Sequence, residues 1–501
     1  MTRGLPTLSL DGRTLTPAGV VRVAVEDWRA TLTRRARERN REAVALARDL
    51  IGRGVPIYGR TTGVGALLDH QVYAADATEH SRRLLRSHAG GAGRLVERDV
   101  ARAMLVVRAN QLGAGGAGVA PALHTALVDA LNAGLAPAVH ELGSIGIGDL
   151  TALAETGLAL IGEGSWLGEG APPPPVRLDH GDAIALISSN ALTVGEASLA
   201  AHRLTRALGA AETIAALSFV AVHGDPVVFD ARVHSARRHP GQQAAAAHLR
   251  ALVPADQRPR RLQDPLCFRC IAQVQGAARD AVGELLAALS TELNAAAENP
   301  LLETRSGQAL TTGNFHMSRL ALVADQMRAA LFQVASESVQ RTSALLDARV
   351  TGLPAFLAGH TAGSSGGMIL EYTAAAALEE LRAAATPATL SSIPASHGQE
   401  NHASSASLAA RQLTRALEHY LTVASVELVT AVRALRMSAR RPGTTAGAAA
   451  FDRAAAVLPA DLHDRDLSAD LSLAADLVRA GLIDASEEHV IGPTRPRASR
   501  R

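Results

Sequence analysis

Residues 373–385 read TAAAALEELRAAA. Alanine has the highest helix propensity and the smallest side chain that still favours a helix, so this stretch suits a long helix packed closely against others. Outward from it, apolar residues recurring at three and four mark further long helices at 181–218, 268–298, 316–347, 366–385 and 402–437. Aromatic residues make up 3% of the chain and apolar residues 47%, so the core must be built from Leu, Val, Ile and Ala. That composition favours packed helices over a β-sandwich. The fold class expected is all-α, a bundle of long antiparallel helices with functional groups on the loops and helix ends.

The N-terminal part is richer in loops. A strand-like TLSLDGRTLTP (7–17) precedes an amphipathic helix expected over 23–50. The Gly- and Thr-rich IGRGVPIYGRTTGVGALLDH (51–70) reads as an ordered loop, and GAGGAGVAP (113–121) divides 95–137 into two helices. HELGSIGIGDLTALAETGLALIGEG (140–164) is a Gly-rich turn followed by a helix, with Asp149 placed as N-cap or first-turn acid. APPPPVRL (171–178) must be extended. Three regions are expected: 1–200 with the turn and loop just quoted, 201–440 with the long helices, and 441–501, helical with a basic tail.

Composition excludes several functions. All 50 basic residues are Arg, so no Lys exists to form a pyridoxal phosphate Schiff base or a GxxxxGK[ST] phosphate loop. A net charge of +2 is too balanced to imply nucleic acid or a membrane surface. The Arg-rich 34–41 and 495–501 read as solvated faces or tails. Two cysteines are too few for a disulfide scaffold, and MTRGLPTLSLDGRTL (1–15) is not a signal peptide, so a cytoplasmic enzyme or binding protein is expected. Cys267 and Cys270 form a CxxC, a redox pair or half a metal site taken alone, but no second Cys pair or well-spaced His pair accompanies it. The GxG-type runs do not follow a hydrophobic strand, so a dinucleotide site is not expected.

Several segments, taken in order, resemble one family. YGRTTGVG (58–65), RSHAGGAG (86–93), RANQLGAGGAGV (108–119), QDPLCFRCIAQVQG (263–276), ENPLL (298–302) with TTGNFH (311–316), GSSGGMILEYTAAAA (363–377) and SSIPASHGQENH (391–402) are similar to motifs of the histidine/phenylalanine ammonia-lyases. These enzymes carry a methylidene-imidazolone (MIO) electrophile. The resemblance implies a homotetramer of long helices with each active site built from more than one subunit. It places Tyr58 at the catalytic tyrosine, His88 at the substrate-pocket histidine, Arg269 at the carboxylate-binding arginine, Asn314 in the GGNFH motif, and Glu400 at the acidic residue of the histidine-type branch.

The cofactor segment departs from the pattern. The family builds its ring from Ala-Ser-Gly within GSxGASGDL, whereas this chain reads GSIGIGDL (143–150), with Ile147 in place of Ala-Ser and one residue fewer. Ser144 is a poor substitute, because the β-branched Ile145 after it crowds the amide nitrogen that would have to attack. The expectation is therefore no MIO, and no pyridoxal phosphate, nucleotide or metal. Three neighbouring positions depart as well: Leu266 stands for a tyrosine, Ser188 for an asparagine and Gly367 for an aromatic residue. A larger pocket follows, suited to a bulkier substrate or a second reactant.

The remaining residues suggest a mechanism. Arg269 can hold a carboxylate with two parallel hydrogen bonds, and Tyr58 can remove a proton beside it if a positive charge or helix dipole lowers its pKa from about 10. Glu400 can hold an amine or imidazole, or relay a proton. The turn Gly146-Ile147-Gly148, ahead of a helix, offers amides that can hold an anion such as an enolate oxygen. The leading expectation is an MIO-independent lyase or addition/elimination enzyme acting on an amino acid or related acid. The alternative is a non-catalytic relative that binds a ligand or a partner subunit.

Overall fold

The computed structural model describes residues 5–391, 394–438, 442–443 and 445–482. The basic tail from 495 and two residues of the 391–402 motif, 392 and 393, lie outside the described residues.

The long helices form close to where the periodicity places them: Ala191–Ala221, Ile271–Leu293, Ser318–Leu346, Ile369–Ala384 and Ala406–Met437. The 181–218 stretch is broken, since a short helix Asp182–Ile187 stops at Ser188 and the long one restarts at Ala191. The Ala-rich helix Ile369–Ala384 buries Leu370, Ala374, Ala377, Leu381 and Ala384, one stripe at helical spacing. GAGGAGVAP separates Arg98–Ala114 from Pro121–Asn132, with Pro121 at the first helical position where its missing N–H costs nothing. Residues 171–178 form neither helix nor strand.

The helix expected over 23–50 is instead two. Pro17–Ala24 is followed by a strand Arg29–Leu32, which pairs in parallel with Thr7–Leu10, and then by Arg34–Gly52. Asp27 takes a left-handed φ of 54°, which ends the first helix, and Thr33 caps the second by accepting from the Ala36 amide at 3.2 Å. Four two-stranded sheets and two isolated bridges, Thr62–Gln71 and Ala395–Glu400, make up the β-structure among the described residues.

The chain divides into two compact units, and the division differs from the three regions expected. One unit comprises residues 1–202, 286–324 and 387–411; the other comprises 203–285, 325–386 and 412–501. In the second, buried carboxylates join the long helices. Glu212 on Ala191–Ala221 accepts from Arg279 NH2 at 2.7 Å and from His248 Nδ1 at 2.6 Å. Glu427 on Ala406–Met437 accepts from Ser218 Oγ at 2.7 Å and from Arg341 Nε at 2.6 Å. Removing one member of such a buried pair costs about 3–5 kcal/mol, because the other charge is left uncompensated. The stretch Asp182–Ala221 is long and apolar enough on average to cross a bilayer, yet 94% of its most apolar window is buried within the fold.

Candidate active site

A cavity of about 670 Å³ opens in the first unit. Tyr58, His88, Glu400, Ser188, Ile147 and Gly148 all line it. Residues from separated stretches of sequence therefore meet at one place. Ile145, Leu150, Ile184, Ile187 and Phe315 supply an apolar wall. Among the described lining residues Glu400 is the only carboxylate, and none is an Arg.

Tyr58 sits half-buried in the loop 58–65, and its oxygen accepts the Gly65 amide at 2.7 Å. Burial pushes the phenol up; the Gly65 bond pulls it down, and the nearby Glu400 carboxylate pushes it up again. The positive charge that a tyrosine base requires is thus not supplied by the residues that line this cavity. His88 ends the helix Ala77–His88. Its Nδ1 lies 2.9 Å from the Leu84 carbonyl, which can only accept, so Nδ1 carries the proton. Burial pushes its pKa down. The neutral ring then has its lone pair on Nε2, as an acceptor.

Glu400 follows a tight turn in which Ser396 and His397 both adopt left-handed φ, 51° and 54°. Ser396 Oγ accepts the Ala66 amide at 3.1 Å, tying this turn to the tyrosine loop. A Cβ on Gly65 would meet that same oxygen at 2.6 Å, which explains a glycine there.

The turn 143–148 is closed on itself and pinned from outside. Gly146 and Gly148 take φ of 87° and 121°, which a residue with a Cβ rarely adopts. Gly148 N–H donates to Asn190 Oδ1 at 2.9 Å, and Gly146 N–H to Ser144 Oγ at 3.3 Å. The expectation that these amides hold an anion is corrected at both glycines: their hydrogen bonds are already made within the chain. Ser144 Oγ in turn donates to the Gly148 carbonyl at 3.2 Å. From the other side Ser404 Oγ donates to Gly146 O at 2.6 Å, Ser405 N to Ile145 O at 3.0 Å and Ser407 Oγ to Ser144 O at 2.8 Å. Gly143 O, the carbonyl that a ring built at Ser144 would consume, accepts Thr151 Oγ1 at 3.2 Å.

Asp149 stands at the N-cap of Leu150–Leu160, but its side chain does not cap that helix. It accepts instead from Thr193 N at 2.8 Å and Thr193 Oγ1 at 2.9 Å, in the first turn of Ala191–Ala221. Burial pushes its carboxyl up against these bonds.

Other expected site residues fall differently. Ser188 lines the cavity, yet its hydroxyl accepts the Asn299 amide at 2.9 Å and so is engaged with backbone. Asn314 is exposed, and its neighbour Phe315 takes the place in the lining. Leu266 and Arg269 belong to the short helix Leu266–Arg269 of the second unit, where Leu266 is exposed. Arg269 Nε is buried with no hydrogen-bond partner. Gly367 also lies in the second unit, ahead of Ile369–Ala384, with its amide on Phe356 O at 2.8 Å. Cys267 is pushed up to about 11 by burial and Cys270 is also raised, the opposite of what a reactive thiolate pair needs. Among the described residues no three or more His, Cys, Asp or Glu cluster as a metal site would require.

Sequence reasoning missed Asn190, Ser404 and Ser407, which hold the turn, and Phe315 and His397, which line the cavity. Asn190 and the run 404–407 carried a signal: each stands where a long helix begins, and Ser and Asn favour such positions.

The sequence model of the family described as aromatic amino acid lyase matches residues 15–456. A histidine ammonia-lyase of Symbiobacterium thermophilum is 36% identical over 502 residues, covering 96% of this chain and 98% of that protein. Among solved structures, the ergothioneine-degrading enzyme ergothionase of Treponema denticola superposes with a TM-score of 0.90 at 25% identity, covering 96% of this chain and 100% of the other. The tyrosine aminomutase of Streptomyces globisporus gives 0.89 at 31% identity, covering 95% and 97%. With its helical architecture and its motifs in order, the chain belongs to the aromatic amino acid lyase family.

Proposed function

We propose that this ammonia-lyase-like enzyme works without the MIO ring and eliminates a better leaving group than ammonia, a substituted ammonium, from a histidine-like amino acid. The observation that carries the reading is the turn 143–148. It has no Ala-Ser before Gly148, the Gly148 nitrogen is bound by Asn190 Oδ1, and the hydroxyl of Ser144 faces the Gly148 carbonyl. These residues do not fit the family's ring, and the proposed elimination does not use it.

The electrophile's task in the family is to make a poor leaving group workable. A quaternary ammonium cannot be deprotonated, so it always departs as a neutral amine, whereas an α-amino group must stay protonated to do so. Its fixed positive charge also lowers the pKa of Tyr58 on binding, adding to the pull of the Gly65 amide against burial and Glu400. Tyr58 takes the β-proton, the C–H electron pair forms the Cα=Cβ bond, the Cα–N bond breaks, and the amine departs with the electron pair of that bond. The proton on Tyr58 is then lost to solvent.

Arg269 is assigned the carboxylate. His88 Nε2 and the Glu400 carboxylate are both acceptors and suit a ring with N–H donors, such as imidazole. A cavity of about 670 Å³ has room for a substrate larger than a free amino acid. Ergothionase, a structural neighbour, degrades ergothioneine. A cytoplasmic homotetramer with sites shared between subunits completes the reading.

The test offers the purified chain histidine and Nα,Nα,Nα-trimethylhistidine, and follows the conjugated acrylate product by ultraviolet absorbance. The reading predicts turnover of the trimethylated compound well above that of histidine. Equal or faster turnover of histidine refutes it.

A further inference from the structure

Two segments of the first unit meet in the cavity lining, the tip of the tyrosine loop and the turn 395–400. The base of the loop holds itself. Ile57 N–H donates to Thr61 Oγ1 at 2.7 Å, Gly59 N–H to Thr62 Oγ1 at 3.2 Å, and Gly63 N–H to the His70 carbonyl at 2.8 Å. The tip, residues 64–66, is held differently. Gly65 N–H donates to the Tyr58 oxygen, and the next amide, Ala66 N–H, donates to Ser396 Oγ. Among the described residues, that second bond is the tip's one hydrogen bond to anything outside 57–72. Only the two backbone torsions of Gly65, whose φ is 56°, separate the two amides, so holding one orients the other. A glycine does not fix those torsions by itself.

The hydroxyl reaches the tip from an unusual backbone. Ser396 and His397 both adopt left-handed φ, which residues with a Cβ rarely take and which the surrounding structure must offset. The turn does so with its own bonds. Ala395 N–H donates to Glu400 O at 2.8 Å, Gly398 N–H to Ala395 O at 2.9 Å and Gln399 N–H to Ser396 O at 3.0 Å. The Ala66 residue is exposed, so water satisfies its amide once the hydroxyl is removed. The contact therefore fixes position and adds little to stability.

We propose that Ser396 is a positioning residue for Tyr58: through the Ala66 amide it fixes the tip of the tyrosine loop, and with it the Gly65 N–H that binds the phenol oxygen. This rests on the reading of Tyr58 as the base. An amide binds a phenolate more strongly than a phenol, so a well-aimed Gly65 N–H favours ionisation. The titratable groups that line the cavity with Tyr58 are Glu400 and His397 from the turn and His88 from the end of Ala77–His88. Arg60, two residues along, is engaged on the His180, Ala117 and Gly118 carbonyls. Deleting one neutral hydroxyl alters none of these charges.

The experiment titrates Tyr58 directly, in full-length protein carrying 3,5-difluorotyrosine, whose fluorines bring phenol ionisation down toward neutral pH. The phenolate absorbance of the matching Tyr58→Phe protein is subtracted, which removes Tyr73, Tyr372 and Tyr420. Ser396→Ala and Ser396→Gly are compared with the wild type. Both delete the hydroxyl, and the glycine also relaxes the left-handed backbone. The Tyr58 midpoint moves to higher pH in both, so that the ionised fraction at a fixed pH below it falls about fivefold. In unlabelled protein kcat on the alkaline-rising limb falls in step, about fivefold. Melting temperature is unchanged, as is affinity for imidazolepropionate, which carries the carboxylate but no leaving group. A midpoint unmoved in Ser396→Gly overturns the proposal: if Ser396→Ala alone moves it, the backbone and not the hydroxyl is responsible.

The titration and the kinetics separate the two layers. If the midpoint moves and kcat does not follow, Tyr58 is not the base, while Ser396 still positions it. If Tyr58→Phe abolishes turnover but the midpoint does not respond to the loss of the Ser396 hydroxyl, the positioning proposal fails alone.

Discussion

The turn 143–148 and the loop 58–65 line the same cavity and have fared differently. The loop matches the family's motif through its length, and its tyrosine oxygen is held by the Gly65 amide. The turn departs from the motif, reading GSIGIGDL over 143–150, yet it is not left loose: Asn190, Ser404, Ser405 and Ser407 hold it at four points. The apolar Ile145 and Ile147 of this turn are part of the cavity wall. On the proposed reading, Tyr58 and Glu400 handle protons and the apolar turn stands where the family carries its electrophile. The difference favours altered chemistry over lost chemistry.

The comparison breaks most directly at Tyr58. Tyr58→Phe should lower kcat by about 10²–10⁴ while affinity for imidazolepropionate and the melting temperature stay put. Turnover that survives the change would reduce the loop to a packed structural element. Glu400→Gln is next in size. It removes a carboxylate that raises the Tyr58 pKa and attracts a cationic substrate, so KM should rise about tenfold and the alkaline-rising limb of the kcat profile should move to lower pH. A limb that moves to higher pH contradicts this electrostatic coupling between Glu400 and Tyr58.

On the side of the turn, Asn190→Ala removes the acceptor for Gly148 N–H and the donor to the Phe315 carbonyl, which lies 2.7 Å from Asn190 Nδ2. Loss of about 1–3 kcal/mol in denaturant unfolding is expected, since both groups are left buried without partners. The smallest effect is expected at Ser144. Ser144→Ala deletes two long hydrogen bonds, at 3.2 and 3.3 Å, and the hydroxyl's pull on the Asp149 carboxyl, and should change turnover less than about threefold. Abolished turnover with the fold intact would make that hydroxyl part of the chemistry.

The helical fold was legible because Ala-rich stretches such as 373–385 and apolar spacing at three and four both point to packed helices, with little competing signal. The break near Asp27 was not, because one left-handed residue leaves the surrounding helical pattern intact. Tyr58, His88, Glu400 and Ile147 stood out through motif order, and one cavity brings the four together. Ser188 and Asp149 were read by position alone. Their actual partners, the Asn299 amide and Thr193, lie 111 and 44 residues away, which no local pattern reveals. The two-unit division escaped for a similar reason, since residues 286–324 and 387–411 return to the N-terminal unit after long excursions.

Whether the backbone between Gly143 and Gly148 is an ordinary peptide is the central question, and intact mass spectrometry of the purified full-length chain answers it. An enzyme that works without the ring has the mass of the unmodified sequence. A mass lower by two waters, mapped by peptide digestion to this turn, would show that a ring has formed there and would contradict the proposed chemistry.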